Sequence, residues 1–474
     1  MNITFLLERF AAYGSRPALI WKDEQYCYNW LLDQIHTFSQ WVSTEELEGT
    51  IVVLEEDYSP YAAAALIALL ERNCIVVPLD QHLVEGKRNE YIALAQAEWR
   101  MSVGEGEAIA RHCSVQGSRS PILARLSQEK KAGLVIFSSG STGQSKAAVH
   151  SADRLLHGFR RQVRPLCTIP FMMFDHIGGL NTMLQSLSSG GCLCVIPDRS
   201  PLEVCKTIEK HRVQALPVSP TFMNLLLLSG VYPEFDLSSL EVISYGSEVM
   251  PEALLTAWNR QFPNVRTVQA YGMSELGILP TRSKDSGSLL FTVRDGEVRY
   301  RIVDGLLEIQ TTTAMIGYLN APSPFTEDGW LQTGDEAEIE GGYIRILGRR
   351  SEIINVGGRK VYPAEVESIL EQMDAIEAAV VSGEPSGIMG QMVKATVKLT
   401  GEHPLTELRR QIWDFCRDKL PQYKIPQKIV ITQETLTSPR MKKIRNPGPI
   451  SAVRDEVAAS LEEDSEGAQQ GMNE

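Results

Sequence analysis

The chain has 474 residues, too many for one ordinary hydrophobic core, so two or more domains are expected. Its 43% apolar and 22% charged residues are those of a soluble globular protein. A net charge of −13 with no basic cluster disfavours nucleic acid and anionic membranes as partners.

The N-terminal stretch lacks a basic region followed by a long apolar core, so it does not read as a signal peptide, and no apolar run reaches membrane-spanning length. The eight cysteines are scattered with no Cys-x-x-Cys pair, which fits a reduced, cytoplasmic setting better than a disulfide or metal framework. Strand-like and helix-like runs alternate through the first two-thirds. "TIVVLEE" predicts a buried strand, "SPYAAAALIALLERN" a helix and "CIVVPLD" the next strand, a βαβ unit of the expected length. The pattern returns in "CLCVIP", "PLEVCKTIEKHR" and "VQALPVSP", and again in "LEVISYGS", "PEALLTAWNRQF" and "RTVQAYG". Parallel sheets with helical crossovers follow, and in such sheets ligands sit beyond the carboxyl ends of strands. From about Ser288 short alternating strands predict a small β subdomain, and the glycines and charges of residues 341–370 mark a junction. Beyond it, "IEAAVVSG", "QMVKATVKL", the helix "LTELRRQIWDFCRDKL" and "QKIVITQE" predict a separate α+β domain of roughly 100 residues. The fold class is thus α/β: a large N-terminal domain of parallel α/β sheets with a small β subdomain (residues 1–348), a hinge (349–352), a smaller, mobile α+β C-terminal domain (353–453) and an acidic tail (454–474) expected to be disordered.

In "VIFSSGSTGQSKAAVHS" an apolar run ends in hydroxyls and glycines and one lysine follows. Gly140 and Gly143 permit a backbone nest for an anion, Ser138, Ser139, Ser141 and Thr142 add hydroxyl donors, and Lys146 adds a positive charge. The guest such a loop suits is a polyphosphate, although an ordinary polar surface loop has much the same composition. The Walker spacing is absent, because Gln144 and Ser145 separate Gly143 from Lys146. Further along, "QAYGMSE" places Tyr271 and Glu275 around a Gly272 turn, "WLQTGDEAEI" carries Asp335, "YIRILGRRSE" carries Arg349, and "LTSPRMKKIRN" carries Lys442 and Lys443. Singly, each reads as readily as a packed aromatic, a surface acid or a surface cation.

Together and in this order, these five motifs resemble those of the adenylate-forming enzymes: acyl-CoA synthetases, adenylation domains of peptide synthetases, and luciferases. The resemblance spans nearly the whole chain, from "SRPALIW" to "MKKIRN". It implies ATP and Mg²⁺ as cofactors. It also implies a role for each matching residue. The loop 138–143 with Lys146 would hold the β- and γ-phosphates. Tyr271, with Gly272 and Ser274 of its motif, would stack on adenine opposite the strand end Tyr245, Gly246 and Ser247. Glu275 would bind the metal, Asp335 the ribose hydroxyls with Arg349 near them, and Lys442 the carboxylate and α-phosphate during adenylation. The chain departs from the family pattern at Ser145 (usually Pro), Ala147 (usually Gly), Ser351 (a hinge usually Asp or Lys) and Met441 (usually Gly). Lys442 keeps the family's three-residue spacing to an arginine, here Arg445, and is preferred to Lys443.

"PFMMFDHIGGLNTM" resembles the family's acyl-pocket segment, with His176 matching a histidine of acyl- and aryl-acid ligases. Amino-acid-activating relatives carry an aspartate where Ile177 stands, and a buried ammonium without a partner is costly, so the expected substrate is an aryl, alicyclic or acyl carboxylic acid without an α-amino group. The resemblance implies activation as acyl-AMP with release of pyrophosphate, then transfer to the thiol of coenzyme A or of a carrier protein's phosphopantetheine. Direct ligation to an amine is the second reading, and a non-catalytic nucleotide-binding relative the third.

Overall fold

The computed structural model describes residues 3–113, 118–139, 145–294, 296–387, 389–401, 403–438 and 442–445. The loop residues Gly140, Ser141, Thr142 and Gly143, together with Met441 and the acidic segment 454–474, lie outside the described residues. The chain divides into two compact units, with the boundary between Ser351 and Glu352.

The first unit holds two seven-stranded sheets and a six-stranded antiparallel one. In one seven-stranded sheet, Gly133–Ser139, Ile75–Leu79, Ile51–Glu55 and Trp99–Val103 lie parallel in that order. The apolar run after Ser59 forms the helix Pro60–Glu71, started by Pro60 and by the Ser59 hydroxyl, which accepts from the Ala62 amide at 2.9 Å. That helix is apolar on all sides and buried along almost its whole length, as a crossover enclosed between layers must be. The same Ser-Pro start recurs in Pro201–His211 and Pro220–Ser229, with Ser200 and Ser219 as caps.

The other large sheet runs Arg266–Gln269, Val242–Tyr245, Ala215–Val218, Cys167–Thr168, Cys192–Cys194, Pro17–Trp21, Glu24–Cys27. Its core is parallel, as the alternation of elements implies, with one difference. The predicted unit from "CLCVIP" to "VQALPVSP" is not a pair of neighbouring strands, because Cys167–Thr168 lies between them and pairs with both. Two residues are too short for any periodic signal. A second difference concerns "RTVQAYG". The parallel strand stops at Gln269, and Tyr271–Met273 turns into a separate antiparallel pair with Gly277–Leu279. The β subdomain begins earlier than Ser288, at Thr281–Ser283.

The second unit packs Pro363–Leu370 and Leu405–Cys416 on one sheet around a core that includes Val366, Leu370, Val381, Val397, Leu408 and Ile412. At the turn between Ile354–Val356 and Arg359–Val361, Gly357 and Gly358 both have positive φ (58° and 80°). This two-residue turn needs glycine on conformational grounds, whatever its further role. All eight cysteines are free thiols, and no described helix is long and apolar enough to cross a membrane.

Segment 442–445 is fastened by ion pairs to Glu367 and Glu371, which are largely buried, and to the half-buried Glu352. Arg445 donates to Glu367 (3.1 and 3.0 Å) and to Glu352 (2.9 Å), while Lys443 reaches Glu371 (2.6 Å) and Glu367 (3.3 Å). Burial alone would raise the Glu367 carboxyl, but Lys443 and Arg445 overcome it and hold the group at about 2 instead of 4.5. Glu371 moves the other way, burial raising it in spite of Lys443. A carboxylate whose folded pKa is depressed contributes stability that is complete above its unfolded value, here about pH 4.5, and is lost as pH falls through about 2. Arg445→Ala removes one of the two cations, so the folded pKa of Glu367 rises and this contribution shrinks. The variant is expected to lose about 3–5 kcal/mol and to unfold at a higher pH. Amide hydrogen exchange in Ile376–Ser386 and Gly390–Leu399, followed from pH 6 down to pH 2, measures it; unchanged protection sinks the assignment.

Candidate active site

Five of the residues singled out in the sequence come together in the first unit. Strand Leu331–Glu340 pairs with Tyr343–Arg349 so that Asp335 stands directly opposite Arg349. The Arg349 guanidinium lies 3.1 Å from Asp335 Oδ1, and the Tyr271 hydroxyl donates to Asp335 Oδ2 at 2.7 Å. Burial raises the Asp335 carboxyl, and the Arg349 charge and the Tyr271 hydroxyl oppose that shift. The Asp335 amide is itself held by the Thr333 hydroxyl at 3.1 Å. One face of the Tyr271 ring stacks on Phe291 with centroids 5.6 Å apart, and only 8% of the residue is exposed.

Glu275 lies four residues beyond Tyr271 and is buried. Its carboxylate accepts from the Tyr318 hydroxyl, and its carbonyl accepts from the Met315 amide at 2.8 Å. Tyr318 belongs to the two-residue strand Gly317–Tyr318, which is antiparallel to Ser145–Ser151, with Tyr318 opposite Ala148. That register puts Tyr318 and Lys146 on the same face. The Lys146 ammonium lies 5.3 Å from the centre of the Tyr318 ring, close enough for a cation–π contact. Lys146 and Glu275 are therefore joined through one tyrosine.

The other departures at the loop have partners too. The Ser145 hydroxyl meets the Tyr91 hydroxyl at 2.7 Å, so a polar contact stands where the family has proline. Asn320 accepts from the Ala147 amide (3.0 Å) and donates to the Ser145 carbonyl (2.8 Å), clamping the strand that returns from the loop. Ser138 pairs in register with Lys146, and Ser139 with Ser145. His150, on the same returning strand, is buried and bonds Ser274 O through Nε2 at 2.6 Å. A carbonyl only accepts, so Nε2 carries the proton. Burial pushes the imidazole pKa down, which keeps the ring neutral.

On the adenine side of the family pattern, Tyr245 and Gln269 are partners on adjacent parallel strands, and the Tyr245 hydroxyl donates to Gln269 at 3.2 Å. The segments that follow lie side by side, as their place beyond the carboxyl ends of strands implies. A Cβ on Gly246 would stand 2.8 Å from Ala270 O, and one on Gly272 would stand 2.4 Å from Gly277 O, so neither position admits a side chain. Ser247 has φ of 68°. His176 caps helix Ile177–Ser188, its Nδ1 accepting from the Gly178 amide at 3.0 Å. Asp175 and Ile177 on either side of it are buried. In the second unit, Lys443 is held by Glu367 and Glu371, whereas the amide of Lys442 bonds the Ser438 hydroxyl at 3.4 Å.

Sequence patterns did not flag Tyr318, His150 or Asn320. Tyr318 and Asn320 lie in "AMIGYLNAP", which has neither helical nor strand periodicity; Glu275 stands 43 residues from Tyr318, and the Asn320 partners Ala147 and Ser145 stand 173 and 175 residues away. Among the described residues no group of three or more His, Cys, Asp or Glu side chains could hold a metal alone. Glu275 nevertheless fits Mg²⁺ as one hard oxygen donor, because that ion commonly takes one or two carboxylates and completes its shell with phosphate oxygens and water.

The chain is similar to known proteins over most of its length. A family profile described as AMP-binding enzyme matches residues 6–305, and one described as AMP-binding enzyme C-terminal domain matches residues 365–443. A 3-[(3aS,4S,7aS)-7a-methyl-1,5-dioxo-octahydro-1H-inden-4-yl]propanoyl:CoA ligase of Mycobacterium tuberculosis is 30% identical over 316 residues, 62% of this chain and 61% of that protein. A 2-succinylbenzoate–CoA ligase of Enterococcus faecalis is 26% identical over 472 residues, covering 90% of this chain and 94% of that protein. Among solved structures, an anthranilate CoA ligase, AuaEII, in complex with anthranoyl-AMP superposes with a TM-score of 0.77 at 19% identity, covering 94% of this chain and 95% of that one. The amide bond synthetase McbA from Marinactinospora thermotolerans superposes with a TM-score of 0.72 at 19% identity, covering 94% and 98%. The last two share the fold. The two profile matches cover most of the length, and the chain belongs to the family of AMP-binding enzymes.

Proposed function

We propose that this chain is an AMP-forming carboxylic acid–thiol ligase. The observation that carries the reading is the connected set Lys146–Tyr318–Glu275 beside Tyr271–Asp335–Arg349. A carboxylate and a triphosphate repel each other, so attack at the α-phosphorus needs that charge offset and the geometry held. In the first step a carboxylate oxygen of the substrate bonds to the α-phosphorus and pyrophosphate leaves. In the second, a thiol sulfur bonds to the acyl carbon, the thiol proton is released and AMP leaves. Lys146 and the hydroxyls of its loop bind the outer phosphates. Asp335 accepts from the ribose hydroxyls, oriented by Tyr271 and Arg349. Glu275, oriented by Tyr318, is the residue that would hold Mg²⁺, which when bound neutralises phosphate charge. Lys442 supplies the cation used at the α-phosphate. Residues 349–352 serve as the hinge between the half-reactions. The similarity to named CoA ligases supports coenzyme A as the acceptor.

The substrate class is an aryl, alicyclic or acyl carboxylic acid with no α-amino group. Ile177 stands where an ammonium would need an anion, and His176 and the buried Asp175 precede it. A second reading, transfer of the acyl group to an amine, is favoured by the structural likeness to an amide bond synthetase. ATP–pyrophosphate exchange over a panel of aryl, alicyclic, fatty and amino acids tests the substrate class. Exchange is expected with acids of the first three kinds and not with amino acids; the reverse pattern overturns the reading. Product analysis with coenzyme A or an amine present separates the two acceptors.

Lys442→Ala is expected to slow pyrophosphate exchange by orders of magnitude while ATP binding and thermal stability stay near those of the parent, because its charge acts in the transition state. Lys443→Ala is expected to fail differently, through loss of stability, since it leaves Glu367 and Glu371 short of a buried cation. A stable Lys443→Ala enzyme with the larger loss of exchange reverses the assignment.

Glu275→Gln and Tyr318→Phe test the link between them. A hydrogen bond to a charged group is worth roughly 1.5–3 kcal/mol, so each variant is expected to slow exchange about tenfold or more and to raise its Mg²⁺ requirement. Phenylalanine keeps the ring under Lys146, so ATP affinity should change little. The double variant should be no slower than the slower single variant; fully additive losses refute the contact.

A further inference from the structure

We propose that Cys167 and Cys192 form an oxidisable dithiol, a peroxide-sensitive modification site that closes a reversible bridge between two strands. The two residues are in-register partners on adjacent parallel strands, so their side chains leave the same face of the sheet. Neighbouring strands lie about 4.8 Å apart, inside the range of about 4.4–6.8 Å over which a disulfide spans two Cα atoms. The Cys167 thiol lies 3.7 Å from His211 O and the Cys192 thiol 4.0 Å from Leu193 O, so each donates only a weak contact that an oxidation would release. Both residues are half-buried, open to a small oxidant, whereas Cys74, Cys113, Cys194, Cys205 and Cys416 are buried and Cys27 is paired in register with Pro17. No other two cysteines face each other in the sheet registers.

The chemistry is asymmetric. The neighbouring Cys192 holds the Cys167 thiol below its usual pKa against the effect of burial, while the neighbouring Cys167 and burial push Cys192 up. Of the two facing sulfurs Cys167 forms its thiolate more readily, and it is the attacking one. Its thiolate attacks one oxygen of hydrogen peroxide, the O–O bond breaks, and a sulfenic acid forms with release of hydroxide. The Cys192 sulfur then displaces that oxygen as water, giving the disulfide. Two thiols lose two electrons and two protons, and one peroxide becomes two waters. In-register parallel side chains keep their Cβ atoms about one strand spacing apart, beyond the usual 3.5–4.5 Å of a disulfide, so the bond is strained and readily reduced. The bridge would clasp both ends of residues 168–191, the segment that carries His176 and helix Ile177–Ser188.

Treatment of the full chain with one equivalent of hydrogen peroxide, followed by alkylation and peptide mapping, tests this. The expected result is one intramolecular disulfide joining the Cys167 and Cys192 peptides, with free thiols falling from the eight present to six, and return to eight with millimolar glutathione. In Cys192→Ser, Cys167 should accumulate as a sulfenic acid that dimedone traps; in Cys167→Ser, no adduct should form at Cys192. The proposal is overturned by both thiols remaining alkylatable, by a bridge mapped to another pair, or by a dimedone adduct on Cys192 in the Cys167→Ser variant. The readout is covalent, so it stands or falls independently of the ligase reading.

Discussion

A carboxylate taken out of water must be met by cations or donors, or its burial costs several kcal/mol, and both units of this chain are arranged around that constraint. In the first unit Asp335 is enclosed with Tyr271 and Arg349, and Glu275 with Tyr318. In the second, Glu367 lies between Lys443 and Arg445. The two arrangements differ in kind. Glu367 meets two cations through several contacts and is drawn well below its usual pKa, which is the behaviour of a structural clamp. Asp335 meets a tyrosine hydroxyl and one guanidinium, and burial draws its carboxyl upward against both.

The site depends on joining sheets with different strand directions. Residues 271–275 leave the end of one seven-stranded sheet, and Lys146 stands on the antiparallel strand that returns from the loop in the other. The pieces that tie them are short. Gly317–Tyr318 adds an edge to the second sheet and delivers one hydroxyl to Glu275, and His150 reaches across to Ser274. Such two-residue elements contribute little core, yet they determine which side chains share a site. Ser145 and Asn320 show how the chain accommodates its departures from the family pattern. The proline missing before Lys146 is replaced by a hydroxyl pair with Tyr91, and Asn320 bridges the backbone on either side of Lys146.

At the C-terminal segment, two adjacent lysines carry the same charge and are separated only by their surroundings. Lys443 pairs across the Thr437 bridge and turns into the clamp with Glu367 and Glu371. The three-residue spacing from Lys442 to Arg445 acquires a physical sense as well, since Arg445 anchors the segment to Glu367 and Glu352 while Lys442 is carried on it.

Much of the fold was legible in the sequence, because it is written in local patterns. Continuous apolar runs such as Ile51–Glu55 and Ile75–Leu79 mark strands covered on both faces, and Ser-Pro pairs mark where crossover helices begin. Motif order and spacing were enough to bring Tyr271, Glu275, Asp335, Arg349 and Lys442 forward as candidates. Other features left no local trace. Cys167–Thr168 enters the sheet between strands that looked like neighbours, because pairing partners far away make it a strand and its own two residues do not. Tyr318 is joined to Lys146 and Glu275 only by the register of an edge strand, and Lys443 is set apart from Lys442 only by the two glutamates that enclose it. The sequence by itself determined the layers and most of the crossovers and brought the candidate site residues forward, since periodicity and spacing are local. The tertiary structure alone decided which carboxylate meets which donor, because burial and register depend on segments that lie tens of residues apart in the chain.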